Sequence, residues 1–266
     1  MLDAVIIILS SVAIILHSFG LILLIKARKR SFNNAYFISQ HIYLSNLSFS
    51  ETMFSLTGLL RVVVKFHGYE ELNRILFIIN TGNFVQIILF LTALTLDRFL
   101  TVYYNLKYIL IWDTRKTKIV IILIYQVSIL FIAFSVAFIK SIGNAFEIFT
   151  FYVWLPIDVL FMVTAVFSYT FLLSKVLKMN PVIRNQQTKS KKSVIVILGL
   201  LLSFTVFSVT PDTISLVKSI RKEKITESME FYLSISYRLG TIMDAFIYIM
   251  FSPGVRQSLS EMFNCC

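Results

Sequence analysis

The residues able to do chemistry in this sequence stand where charge is expensive. Asp97 and Arg98 are neighbours in "LTALTLDRFLTVYYNLKY", residues 91–108, at the end of a long apolar run. Glu51 lies inside a second apolar run and Asp244 inside a third. A charge at the centre of a bilayer costs at least about 2.5 kcal/mol, so an acid kept there is a functional residue by default. An acid–base pair at the rim is either a surface anchor or part of a switch. Covalent chemistry has no such footing. His17, His41 and His67 are scattered over separate segments without metal-ligand spacing. There is no phosphate-cradling glycine loop and no nucleophile elbow. The chain is therefore read as no enzyme.

The elements that position these residues follow from composition. The 266 residues are 57% hydrophobic and 15% charged, with a mean hydropathy of +0.81. That leaves too little polar material to clothe a soluble domain, so the chain is read as a membrane protein. Cys265 and Cys266, at the very end, are the whole cysteine content. A disulfide framework and a cysteine metal site are both excluded. Seven stretches reach the roughly 20 apolar residues that a spanning helix needs, at 2–25, 36–60, 75–103, 117–139, 149–177, 193–217 and 229–251. Barrel strands would be about half as long and would alternate. The expected fold is an all-α bundle of seven transmembrane helices, residues 1–252. A short amphipathic surface helix and tail, residues 253–266, follow, with Val255, Leu259, Met262 and Phe263 at helical spacing. The first span begins almost at the first residue, so the expectation is either an N-terminal stub or a chain that starts further upstream.

Basic residues set the orientation. Lys26, Arg28, Lys29 and Arg30 follow the first span, Arg115, Lys116 and Lys118 precede the fourth, and Lys175 to Lys192 carry six more. The opposite loops hold fewer basic residues, Arg61, Lys65, Arg74, Lys140, Lys218, Arg221, Lys222 and Lys224, beside Glu70, Glu71, Glu147, Glu223, Glu227 and Glu230. The basic side is cytoplasmic, which puts the N-terminus outside and the C-terminus inside. The net charge of +11 is assigned to that inner face and its lipids, with no nucleic-acid partner.

Several motifs in order resemble the rhodopsin-like (class A) G-protein-coupled receptors. Asp97-Arg98-Phe99 is similar to the family's Asp-Arg-Tyr, and "NLSFSE", residues 46–51, to its Asn-Leu-x-x-x-Asp, with Glu51 as the acid. "DAFIYIMFSPGVRQSL", residues 244–259, resembles the end of helix 7 plus the surface helix, with Asp244 and Tyr248 in the Asn-Pro-x-x-Tyr positions. Pro211 matches the kinking proline of helix 6 and Tyr169 the inner tyrosine of helix 5. The departures are also specific. Ser208-Val209 replaces Cys-Trp, Ala245 replaces the helix 7 proline, and the cysteines of the usual outer bridge are missing.

The resemblance implies plasma-membrane receptor activity, with an extracellular small-molecule, peptide or lipid ligand outside and a heterotrimeric G protein inside. Arg98, held by Asp97 at rest, would be freed on activation, with Phe99, Tyr169 and Tyr248 in the same switch. Lys191 stands where the family often has a second acidic latch, so the resting state is expected to be loosely held. Glu51, Asn83, Thr241 and Asp244 would form the family's sodium site, or the two acids would share a proton, or the group would be a hydrogen-bonded knot. Ligand contacts are expected from Asn80, Thr81, Phe84, Asp158, Asp212, Tyr237 and Arg238, with Trp154 nearby. Asp212 and Arg238 would either pair with each other or meet a polar ligand. Asn80 where amine receptors carry Asp disfavours a monoamine. Arg238 where opsins carry lysine disfavours retinal, and no cofactor is required beyond the sodium ion. Cys265 and Cys266 are palmitoylation candidates. Other readings are a seven-helix transporter or channel with an ion path along Glu51 and Asp244, and a receptor-like protein that no longer couples.

Overall fold

The structure, a computed structural model, describes residues 2–30, 35–104, 108, 112–142, 184–220 and 227–264, with single positions at 163, 167, 170, 171 and 174. Apart from short turns these residues are helical: α1 (Leu2–Arg30), α2 (Ala35–Phe66), α3 (Glu70–Tyr104), α4 (Thr114–Ile142), α5 (Arg184–Phe204), a π-turn (Thr205–Val209), α6 (Thr210–Ile220), α7 (Glu227–Phe251) and α8 (Pro253–Asn264). Five described stretches are long and apolar enough to cross a membrane: Asp3–Arg28, Ile38–Phe66, Glu70–Thr101, Thr114–Ala137 and Val194–Ile214. α7 is equally long but carries Arg238 and Asp244 in its middle. The expected fifth span, 149–177, lies outside the described residues except for those single positions.

The helices outrun the apolar stretches that announce them. α2 continues to Phe66 and α3 begins at Glu70, because hydropathy ends at the lipid boundary whereas the hydrogen-bond ladder ends only where backbone geometry breaks it. The break is Gly68, at φ 76°, a left-handed conformation that glycine adopts without penalty. Its N–H donates to the Lys65 carbonyl at 3.1 Å and that of Tyr69 to Val64 at 3.2 Å, closing the helix end.

α3 is the central helix. In its most apolar stretch 61% of residues are buried, against 22% for α1 and for α4. The core runs through Leu23, Leu47, Phe90, Leu94, Leu200 and Tyr248. Those apolar contacts do not drive association in lipid as they would in water, so polar links between helices matter more. Tyr125 on α4 donates to Asn46 on α2 at 3.1 Å. Ser50 on α2 donates to Gln86 on α3 at 3.1 Å. Asn46, within a glycosylation sequon, is thus occupied inside the bundle, as its place in a span requires.

Pro211 organises the span formed by α5, the π-turn and α6. Proline has no N–H, so the carbonyl four residues earlier, on Phe207, loses its helical donor. The helix responds with the π-turn directly before the proline, closed by the Thr210 N–H on the Thr205 carbonyl. Ser236 on α7 then supplies the missing donor, its hydroxyl 2.9 Å from the Phe207 oxygen. Gly240, a turn further along α7, lets Phe207 approach: an added Cβ would lie 2.9 Å from the Phe207 Cβ. The proline kink is therefore also the weld between this span and α7. α8 packs beneath α1 and α7 by Val255, which is fully buried, and Lys26 Nζ of α1 reaches Met262 Sδ at 4.0 Å.

Ser236→Ala leaves a buried carbonyl unpaired and is expected to cost about 1–3 kcal/mol. In a Pro211→Ala background the restored N–H takes over that carbonyl, and the same change should cost much less. Thermal unfolding of the purified single and double variants reads the difference; equal costs in both backgrounds would contradict the weld.

Candidate functional site

Polar residues gather at three depths. At the C-terminal end of α3, Arg98 folds back along its own helix. Its Nε donates to Asp97 Oδ2 at 2.9 Å, and Nη2 donates to the same oxygen. Adjacent helix residues point about 100° apart, so only a side chain as long as arginine can close this pair. Both residues are buried. The other carboxylate oxygen, Oδ1, accepts the Tyr108 hydroxyl. Burial, and after it the Asp97 charge, raises the Tyr108 pKa above the ordinary phenol value, which keeps that hydroxyl protonated as a donor. Asp97 thus has two side-chain partners, Arg98 and Tyr108. Tyr108 was not legible in the sequence; its one signal is a tyrosine at the end of the aromatic "YYNLKY". Phe99 packs against Phe171, ring centroids 4.4 Å apart. Tyr169 and the lipidation candidates Cys265 and Cys266 lie outside the described residues, as does the side chain of Lys191.

Tyr248 is not at Arg98. It is fully buried and turned toward α1, where its hydroxyl lies 2.7 Å from His17 Nδ1 and 2.9 Å from Ser48 Oγ. The other imidazole nitrogen, Nε2, is 2.8 Å from the Thr241 carbonyl. A carbonyl only accepts, so Nε2 carries a proton, and in the neutral ring Nδ1 is an acceptor. Glu51 Oε2 lies 3.1 Å from that same Nδ1. Two acceptors at this distance repel unless a proton sits on one of them. His17 is the site residue that sequence reasoning passed over; a histidine within an apolar first span was its signal.

Glu51 and Asp244 are both buried and close enough for each charge to act on the other. Both oxygens of Glu51 and Oδ1 of Asp244 lack a hydrogen bond of good geometry. They adjoin a cavity of about 10 Å³ of space open to the centre of a water molecule, walled by Glu51, Ser208, Thr241 and Asp244 together with Phe54, Phe84 and Phe204. Orphaned carboxylate oxygens around a water-sized space fit a small hard cation. Asn83 does not join them. Its amide points outward to Thr57 Oγ1 at 3.4 Å, and Phe84 and Ile87 present the α3 face to the cavity instead. Of the four residues expected together, Glu51, Thr241 and Asp244 line the cavity, beside Ser208, and Asn83 does not.

In the half of the bundle away from Arg98, Tyr237 donates its hydroxyl to Asp212, whereas Arg238 turns toward α2 and lies over the Phe54 ring, 4.9 Å from its centroid. The Asp212–Arg238 pair is not formed. Tyr237 and Arg238 are successive residues of one helix, so the first faces α6 and the second faces α2. Asn80 accepts the Thr57 hydroxyl at 2.8 Å. Thr81 bonds back to the Phe77 carbonyl of its own helix at 2.9 Å. Phe84 stacks on Phe204 at 5.6 Å and meets Tyr237 edge-on at 5.6 Å. Asp158 and Trp154 lie outside the described residues. No group of three or more metal-ligating side chains occurs among the described residues.

The family model described as 7 transmembrane receptor (rhodopsin family) matches residues 20–248. The match takes in Glu51, Asp97, Arg98, Asp212, Arg238 and Asp244 and ends on Tyr248. No curated protein matches the chain.

Two carboxyl groups this close oppose each other whenever both are charged. Glu51→Gln and Asp244→Asn are each expected to raise the unfolding temperature of the purified protein in sodium-free buffer by several degrees, since ~1 kcal/mol shifts the midpoint by about 2–4 °C in a chain of this size. A fall in both variants would mean that the acids are held by partners rather than strained.

Proposed function

The chain belongs to the rhodopsin family of seven-transmembrane receptors, and from that premise we propose that it carries an extracellular ligand signal to a heterotrimeric G protein at the cytoplasmic face of the plasma membrane. In this reading seven helices cross the bilayer, the N-terminus is outside, and Cys265 and Cys266 carry acyl chains. The ligand shifts a population between two arrangements of the bundle. The observation that carries the proposal is the buried Asp97–Arg98 pair with Tyr108 on the second carboxylate oxygen. An arginine sequestered at the inner end of the central helix, held by bonds that a small motion breaks, is a contact kept in reserve. Release of Arg98 opens the inner face to the G protein. No step of this makes or breaks a covalent bond in a substrate.

Hydrogen bonds to charged groups contribute about 1.5–3 kcal/mol, enough to move a two-state equilibrium about tenfold or more. Asp97→Asn is accordingly expected to raise ligand-independent second-messenger output about tenfold at matched surface expression, and Arg98→Gln to abolish it. Ion flux that persists in Arg98→Gln without G protein would instead point to a transporter or channel.

The cavity beside Glu51 is proposed to hold a sodium ion between Glu51, Asp244 and the Thr241 hydroxyl, which would tie α2 to α7 in the resting state. The contact of His17 with Glu51 favours a second reading, a proton in place of the ion. Thermal unfolding in sodium and in potassium at equal ionic strength separates them. Sodium binding gives a higher midpoint in sodium that Glu51→Gln removes; proton sharing gives a midpoint that follows pH and ignores the cation.

A further inference from the structure

The half of the bundle away from Arg98 contains a cation that no described acid answers. Arg238 is 6% exposed, and its guanidinium has five N–H donors to satisfy. Nη1 reaches the Phe54 carbonyl at a long 3.5 Å, and Nε has no partner. The charged group that acts on it is a second cation, Arg61. Asp212, the acid that could have served, is engaged by Tyr237 on the other side of α7. A buried charge is normally paired, because removing it from water costs more than packing returns.

The fold makes room for this arrangement. Phe54, Gly58 and Arg61 follow one another at four and three residues and so share one face of α2. Phe54 lies under the guanidinium as a cation–π platform. At Gly58 an added Cβ would overlap Arg238 Nη2, so the missing side chain is the notch that seats the guanidinium. Arg61 stands one turn further out and lies over Phe77 at 4.6 Å. Phe54 also meets Phe84, ring centroids 5.8 Å apart, and Phe84 meets Tyr237. Arg238 thus lies over the first ring of a chain of aromatic contacts, Phe54, Phe84 and Tyr237, and Arg61, whose Nε donates to Asn73 Oδ1 at 3.3 Å, follows on the same face of α2.

We propose that Arg238 and Arg61 form the anion subsite of the ligand site, and that the ligand is an amphiphile with a carboxylate head and an apolar or aromatic body lying along Phe54, Phe84 and Tyr237. The inference rests on the receptor reading, and names the ligand class for it. A guanidinium presents a planar fork that a carboxylate matches with two parallel bonds. An amine would meet two like charges here, which excludes it more strongly than the lack of an acid at Asn80 does.

The test uses the purified full chain in neutral phosphatidylcholine nanodiscs, with decanoate, decanol and decylamine as probes that share one chain and differ in the head. Decanoate is expected to raise the unfolding midpoint by about 2–4 °C at saturation, while decanol and decylamine do not. Arg238→Gln should abolish the decanoate shift. Arg61→Gln and Gly58→Ala should weaken it, the latter by displacing the guanidinium. Arg238→Gln should also leave the midpoint without probe unchanged or higher, because the Phe54 carbonyl that it leaves still accepts the Thr57 hydroxyl. Equal shifts from decanoate and decanol, no shift from any probe, or a decanoate shift that survives Arg238→Gln would overturn the proposal. The assay contains no G protein, so a failure of coupling in the Arg98 experiment leaves this result standing, and the converse holds.

Discussion

A carboxyl group shut inside a membrane has to be answered by something, and in this bundle the answer to Glu51 reaches across three helices. Glu51 on α2 meets His17 on α1 and Asp244 on α7. His17 in turn grips α7 twice, at the Thr241 carbonyl and the Tyr248 hydroxyl. Gly20 completes the join, since a side chain there would run into the Tyr248 ring. Apolar packing alone gives little drive for helices to associate in lipid. The hydrogen bonds of His17, Ser48 and Tyr248 beside Glu51 therefore tie α1, α2 and α7 together.

The knot also adjoins the places where the bundle can move. The cavity beside Glu51 touches Ser208 in the π-turn and Gly240 on α7, next to the carbonyl that Pro211 strands and Ser236 recovers. The span that holds Pro211 is therefore jointed at the depth of the acid pair. A change of proton or ion there alters the partners of α7, and α7 is welded to that joint.

The two ends of the bundle treat arginine in opposite ways. At one end Arg98 is buried with its own acid, and that acid is doubly occupied. In the other half Arg238 is buried over an aromatic ring, with a second arginine as its charged neighbour. A satisfied cation can be released to meet a partner. An unsatisfied one is what the proposed anion subsite rests on, and the helix geometry that parts Tyr237 from Arg238 keeps Asp212 away from it.

Composition and the spacing of apolar runs determined the membrane setting, the helical class and most of the spans, because the bilayer imposes a length and forbids unpaired backbone. Motif order determined the family and drew attention to Asp97, Arg98, Glu51 and Asp244, since charged residues in apolar runs are conspicuous. The tertiary structure decided the partners. That Tyr108 holds Asp97, that His17 reaches Glu51, that Asn83 looks away from the acids, and that Arg238 turns from Asp212 to Gly58 all depend on contacts between distant segments. Local sequence does not encode them. A one-residue step along a helix rotates a side chain by about 100°, and only the docked neighbour decides which of those directions meets a partner.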